Sequence, residues 1–144
     1  MKFQQSTEDY LETILVMTHR GMRVKSIDIA TEMNFSRASV SSAVRNLREE
    51  KLILVDEHGM IRLTAEGQSV AAEVYHRHCM LMEFLIAIGV DRETAAKDAC
   101  CMEHVISRQT SEKLTMHFQK IRRSSRKPSR KKKSPQSLHS KEKM

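Results

Sequence analysis

Near the start of the chain two acids, Asp9 and Glu12, stand three residues apart, so on a helix both project from one side. A single imidazole, His78, falls on an otherwise apolar series at helical spacing: Val70, Val74, Leu81 and Leu85. Further on, Cys100, Glu103 and His104 occupy i, i+3 and i+4, which on a helix is one face. Each group alone has an ordinary reading, as a solvated acid pair, a satisfied core histidine or a chance run. A face carrying thiol, carboxylate and imidazole together is different. It is costly to bury unless a cation neutralises it.

A second set suits contact with nucleic acid. The run Ser36-Arg37-Ala38-Ser39-Val40-Ser41-Ser42 is free of acids and rich in short or forked donors. Arg37 is able to pair bidentately with guanine, and Ser36, Ser39, Ser41 and Ser42 suit base edges and phosphates. Arg45, His58 and Arg62 are better placed for phosphates, which fix position without reading sequence. Arg48 reads equally well as a solvated residue, because Glu49 and Glu50 follow it.

The elements that must carry these residues are mostly helices. The first is expected from Ser6 to about His19, with a hydroxyl cap and acids in its first turn. Its apolar face is Tyr10, Leu11, Ile14, Leu15 and Thr18, and Gly21 is its C-cap. A short helix follows over Ser26–Met33, with Ile27, Ile29, Ala30 and Met33 apolar. A turn at Asn34-Phe35 leads to a third helix, capped by Ser36, burying Val40, Val44 and Leu47 and running to about Lys51. Two short helices with a tight turn, the second polar and basic outside, are the sequence form of a helix-turn-helix. Two β-prone runs, 52–55 and 60–63, flank a polar turn with Gly59 and read as a hairpin, the wing.

Thr64 caps a long fourth helix to about Ile88, which Gly89 ends. A fifth is expected from Asp91 or Arg92 to about Gln109, and a sixth from Thr110, carrying Leu114, Phe118 and Ile121. Cys79 and Cys101 read as packing residues and Glu83 as a solvated one. From Arg122 the chain is Ser, Lys, Arg and Pro without periodicity and is expected to be disordered.

Charge needs dividing before it is interpreted. The net charge of +7 over 144 residues comes from the tail: from Lys120 onward eleven Lys or Arg face Glu142 alone. Residues 1–119 hold fourteen basic and seventeen acidic residues, so the folded part makes its nucleic-acid case by local pattern. A polar N-terminus and the lack of a long apolar run point to a cytoplasmic protein with no membrane partner. Three cysteines without framework spacing suggest thiols rather than disulfides.

Several runs carry a resemblance. Thr7-Glu8-Asp9-Tyr10-Leu11-Glu12-Thr13-Ile14, Ile29-Ala30, Phe35-Ser36-Arg37-Ala38-Ser39-Val40, Leu63-Thr64-Ala65-Glu66-Gly67, Arg77-His78, Phe84 to Asp91, and Cys100-Cys101-Met102-Glu103-His104 are similar, in order and spacing, to the diphtheria-toxin-repressor / manganese-transport-regulator family. The resemblance covers nearly everything from Ser6 to about Phe118. It implies a homodimeric, metal-activated winged-helix regulator that binds a double-stranded DNA operator, usually as a repressor of metal-uptake genes.

Carried over by residue, the resemblance assigns Asp9, Glu12, His78, Cys100, Glu103 and His104 to the metal site. Asp9 and Glu12 match the manganese branch, whereas Cys100 stands where the iron branch has cysteine and the manganese branch glutamate. That hybrid leaves open whether one or two ions bind. Met82 and Ala96 stand where the iron branch's ancillary site would need Glu and His. Mn²⁺ or Fe²⁺ is the expected cofactor, the hard Asp9 ligand slightly favouring Mn²⁺; the thiolate keeps Zn²⁺, Co²⁺ and Ni²⁺ in play.

The expected architecture is mainly α: a winged helix-turn-helix domain over residues 1–64, a helical metal-binding and dimerisation domain over 65–121, and a basic tail over 122–144. No C-terminal SH3-like domain is expected. The mechanism expected is a metal that orders the dimer for operator binding. Two rivals are a metal-independent winged-helix regulator sensing redox through its cysteines, and a metal-dependent hydrolase. The hydrolase is disfavoured because no nucleophile, oxyanion device or substrate pocket accompanies the ligands.

Overall fold

A computed structural model describes residues 5–125. Helix α1 (Gln5–His19) leads into α2 (Ser26–Met33) and α3 (Arg37–Glu49). A hairpin of β1 (Ile53–Val55) and β2 (Ile61–Leu63) follows, then α4 (Ala65–Ala87), α5 (Arg92–Met102) and α6 (Arg108–Ser125). The arrangement is mainly helical, with a winged helix-turn-helix at the N-terminal end.

Caps explain most boundaries. Asn34 adopts the left-handed conformation at the end of α2, and the Ser36 side chain accepts the Ser39 N–H to start α3. Thr64 accepts from the Gly67 N–H and Asp91 from the Thr94 N–H, opening α4 and α5. Gly21 and Gly89, both at positive φ, follow α1 and α4 as expected. In the wing, antiparallel pairing sets Ile53 opposite Leu63 and Val55 opposite Ile61. Val24 adds a bridge to Ile61, a pairing not anticipated from sequence. Gly67 is required by packing: a Cβ there would overlap the Leu52 carbonyl, where α4 leaves the wing.

Two apolar cores result. The larger joins Leu11, Ile14 and Leu15 of α1 to Ile29, Val40, Leu47 and the wing residues Leu52, Ile53 and Ile61, and reaches Ala71 of α4. The smaller holds Met80 and Leu81 of α4 and Ala99 of α5. His78 lies on α4 between those reaches, so the fold places its chemistry where one core gives way to the next.

Several sequence expectations are corrected. On α1, Thr18 is exposed and Met17 buried instead, because the buried arc turns toward Met17. Ile27 is 44% exposed, on the outer side of a two-turn helix that buries only Ile29 and Ala30 fully. Helix α3 ends at Glu49, since Lys51 turns at φ +58° to enter the wing.

Helix α5 stops at Met102, where the Val105 and Ile106 amides both return to the Met102 carbonyl. Ser107 then accepts the Thr110 N–H through its hydroxyl, and α6 starts at Arg108 rather than Thr110. Ile121 is exposed, and α6 continues to Ser125, past the Arg122 expected to open a disordered tail. Cys101 is exposed rather than packed, on the outward side of α5. The rest of the tail, 126–144, lies outside the described residues. Among the described helices none is long and apolar enough to cross a membrane.

Candidate metal centre and nucleic-acid interface

All six expected ligand residues converge. Two groups have donor atoms within 4.8 Å of one another: Asp9, Glu12, Glu103 and His104, and His78, Cys100 and Glu103. Glu103 belongs to both and is 0% exposed. α1 supplies the two N-terminal acids, α4 supplies His78, and the end of α5 supplies the rest. Glu103 is the C-cap of α5 and His104 lies in the turn beyond, so these two are not on a helix face as the spacing suggested.

The geometry is tight. Glu103 Oε2 lies 2.8 Å from His78 Nδ1, and Cys100 Sγ lies 3.8 Å from the same nitrogen. His104 Nε2 is 2.6 Å from Asp9 Oδ1 and 3.2 Å from Glu103 Oε1. Yet Nε2 and Glu103 Oε1 are both buried without a hydrogen-bond partner, so proximity here is not bonding. Buried polar atoms are nearly always satisfied. Arg77 Nε beside them is unbonded as well, so an orphaned atom here is not by itself a mark of metal. But a nitrogen and an oxygen left unbonded among carboxylates are what donors sharing a cation would show, and the set fits one.

Electrostatics agree. Burial, with the Glu103, Asp9 and Glu8 carboxylates, pushes Glu12 up to about 9. Burial also raises Asp9, against the pull of His104. Burial and the neighbouring Glu103, Glu12 and Asp9 push the Cys100 thiol up to about 11. Without a cation the cluster therefore holds protons it must release to become a full ligand set. The cleft at its mouth, about 230 Å³, is bordered by Asp9, Glu12, His78, Cys100 and by Glu32 and Met33 of α2.

Two residues at this centre were not picked out as functional from the sequence. Glu8, expected only as a first-turn acid, is buried, with Oε2 2.6 Å from His104 Nδ1. Arg77 reaches it from α4 at 3.6 Å. The available signal was an arginine beside His78 on a helix that faces the core, where a guanidinium needs a buried acid.

At the other end of the N-terminal unit, Ser36, Arg37, Ser39, Ser41, Ser42 and Arg45 are all exposed on α3 or its cap, and His58 and Arg62 on the wing. Ser36 is partly committed, since its hydroxyl also bonds the Ser39 hydroxyl at 2.9 Å. His58 stands 3.4 Å from Glu57. Outside the site, Glu83 is exposed and pairs with Arg122 at 3.5 Å.

A winged helix-turn-helix whose first helix shares, with a second helical unit, a partly buried cluster of side chains able to hold a metal ion fits a class, the metal-responsive DNA-binding proteins. Residues 2–59 match the iron dependent repressor N-terminal DNA binding domain, and residues 64–131 the iron dependent repressor metal binding and dimerisation domain. The transcriptional regulator MntR of Escherichia coli O157:H7 is 31% identical over 113 residues, covering 78% of this chain and 73% of that protein. The HTH-type transcriptional regulator MntR of Bacillus subtilis (strain 168) is 29% identical over 102 residues, 71% of this chain and 72% of that one. The solved structure of the manganese regulator SloR superposes with a TM-score of 0.71 at 29% identity, covering 78% of this chain and 53% of that one. The chain thus spans about half the length of that solved regulator. It belongs to the iron- and manganese-dependent repressor family, the diphtheria-toxin-repressor / manganese-transport-regulator family of metal-dependent DNA-binding transcriptional regulators.

Proposed function

We propose that Asp9, Glu12, His78, Cys100, Glu103 and His104 hold a divalent cation, Mn²⁺ or Fe²⁺, and that holding it fixes the DNA-binding unit of a homodimer in an operator-competent stance. The DNA-binding unit is assigned to residues 1–64 and the metal-binding and dimerisation unit to 65–121, extended by the last turn of α6. The cation supplies positive charge that offsets three crowded carboxylates. Asp9 and Glu12 bring α1 to the site, His78 brings α4, and Cys100, Glu103 and His104 bring the end of α5. Ser36, Arg37, Ser39, Ser41 and Ser42 would meet base edges and Arg45, His58 and Arg62 phosphates. The role is binding rather than catalysis, in the cytoplasm, with repression of metal-uptake genes as the outcome.

The observation that carries this reading is the pair of unbonded buried atoms, Glu103 Oε1 and His104 Nε2, within the ligand cluster. The test uses a duplex selected from a randomised pool by the Mn²⁺-treated protein. Affinity for that duplex should rise with Mn²⁺ or Fe²⁺ and fall on chelation. Affinity indifferent to metal and chelator would reject the reading and favour the cysteine-sensing alternative.

A further inference from the structure

We propose that Glu8 is a positioning residue for His104: with Arg77 beside its other oxygen, its carboxylate accepts the Nδ1–H and so leaves Nε2 turned into the acidic cluster. The proposal rests on the metal-site reading above but concerns the imidazole rather than the ligand set. Glu8 and His104 are each 8% exposed, and their contact at 2.6 Å spans 96 residues of chain. The two ring nitrogens face different partners, Nδ1 meeting Glu8 while Nε2 faces Asp9 and Glu103. Glu8 belongs to neither ligand group.

The chemistry is that of a tautomer. A neutral imidazole carries its proton on one nitrogen and its lone pair on the other, and only the lone pair binds a cation. An ionised carboxylate only accepts, so Glu8 at Nδ1 demands the proton there. Arg77 approaches the other oxygen, Oε1, at 3.6 Å, and its side chain is only 14% exposed. At that distance the guanidinium is an ion-pair neighbour rather than a hydrogen-bond partner, and its positive charge favours an oxygen, not an amide NH₂, on its side of the Glu8 side chain. Three elements meet in this chain of contacts: α1 through Glu8, α4 through Arg77 and the α5–α6 turn through His104. Carboxylates behind metal-binding imidazoles generally contribute 10–100-fold in affinity.

The polarity argument separates positioning from packing. In Glu8→Gln the shape is kept, but the amide carbonyl turns to Arg77 and the NH₂ to Nδ1, moving the imidazole proton to Nε2. Glu8→Gln should therefore weaken Mn²⁺ binding about 10–100-fold, as much as Glu8→Ala. A packing role predicts Glu8→Gln near wild type. Mn²⁺ affinity is read on the full chain by electron paramagnetic resonance. The His104 ring nitrogens are read by ¹⁵N NMR at fixed pH in the metal-free chain. Wild type should show a proton on Nδ1 that exchanges slowly, and Glu8→Gln should lose it.

A wild-type spectrum with Nδ1 unprotonated overturns the proposal without recourse to any variant. So does Glu8→Gln binding Mn²⁺ within about threefold of wild type. A wild type that shows the Nδ1 proton but takes up no Mn²⁺ sinks the metal-site reading instead.

Discussion

Glu103→Gln should have opposite effects on the metal-free and metal-loaded chain. The donor atoms of Asp9, Glu12, Glu103 and His104 lie within 4.8 Å of one another. At an effective dielectric constant of about 20, two ionised carboxylates at that spacing repel by about 3.5 kcal/mol or more. Glu103 is the carboxylate common to both ligand groups, and it raises both Asp9 and Glu12. The amide removes this charge at constant volume, and its oxygen still accepts from His78. The metal-free variant should melt at or above the metal-free wild type.

Metal reverses the order. At 100 times its dissociation constant a ligand stabilises the folded state by about 2.7 kcal/mol, worth several degrees of melting temperature. The variant should lose most of that gain. Melting curves with chelator and with Mn²⁺, at one protein concentration, supply all four values. A variant that melts several degrees below wild type without metal, yet keeps the full Mn²⁺ rise, would refute the reasoning.

Further outcomes follow from other parts of the structure. Because Glu12 holds its proton to about 9 in the fold against an ordinary 4.5, its contribution to the metal-free chain is fully present below pH 4.5 and lost as pH rises toward 9. With the Cys100 thiol also protonated, up to about 11, Mn²⁺ affinity should climb with pH through 9 and beyond. Near neutral pH binding should release about two protons if both Glu12 and Cys100 become ligands, seen by calorimetry in buffers of different ionisation enthalpy; heats independent of buffer would contradict this. Gly67→Ala forces the α4 start off the Leu52 carbonyl and should cost about 2–3 kcal/mol, read as a lower melting temperature with or without Mn²⁺. Arg37→Ala should weaken the selected duplex roughly ten- to a hundredfold and relax preference at one base pair, whereas Arg45→Ala should weaken all duplexes and shallow the salt dependence by about one ion. Equal effects of both on specific and random DNA would remove the distinction between base and phosphate contact.

What the sequence revealed, and what it hid, divides along local and non-local lines. Ser36 and Thr64 were legible as caps, and the start of α5 at Asp91 or Arg92, because a short polar side chain bonding an amide three residues on is a local event. The six residues that the fold brings together at the candidate site were legible as types with a shared preference for cations, reinforced by resemblance. The end of α5 was not, because Cys100, Glu103 and His104 mimic a helix face and no Gly or Pro interrupts them. The turn is made instead by the Val105 and Ile106 amides folding back on Met102 and by Ser107 capping the next helix. Glu8 was hidden for another reason. Its partners, Arg77 and His104, are 69 and 96 residues away, and no local periodicity encodes which acid of a helix will meet them.

The position of α1 explains why a repulsive cluster suits a switch. Leu11, Ile14 and Leu15 are sunk in the N-terminal core, and Tyr10 meets Phe35 edge-on at 6.1 Å, directly before the cap of α3. Close packing ties α1 to the reading helix, so α1 cannot move without carrying α3. Its opposite side bears Asp9 and Glu12 against Glu103, a contact that is unfavourable until the charge is offset. Even with Glu12 protonated, Asp9 and Glu103 repel across the site, by about 3.5 kcal/mol before solvent screening of the half-exposed Asp9 and the attraction of His104 to both reduce it. Moving a two-state equilibrium from 1:99 to 99:1 takes about 5.5 kcal/mol of differential binding. Relief of the repulsion that remains supplies part of this, and the new ligand bonds supply the rest. A cluster of neutral ligands would bind metal with less opposition but would leave α1 docked in its absence, and so would hold a cation without reporting it.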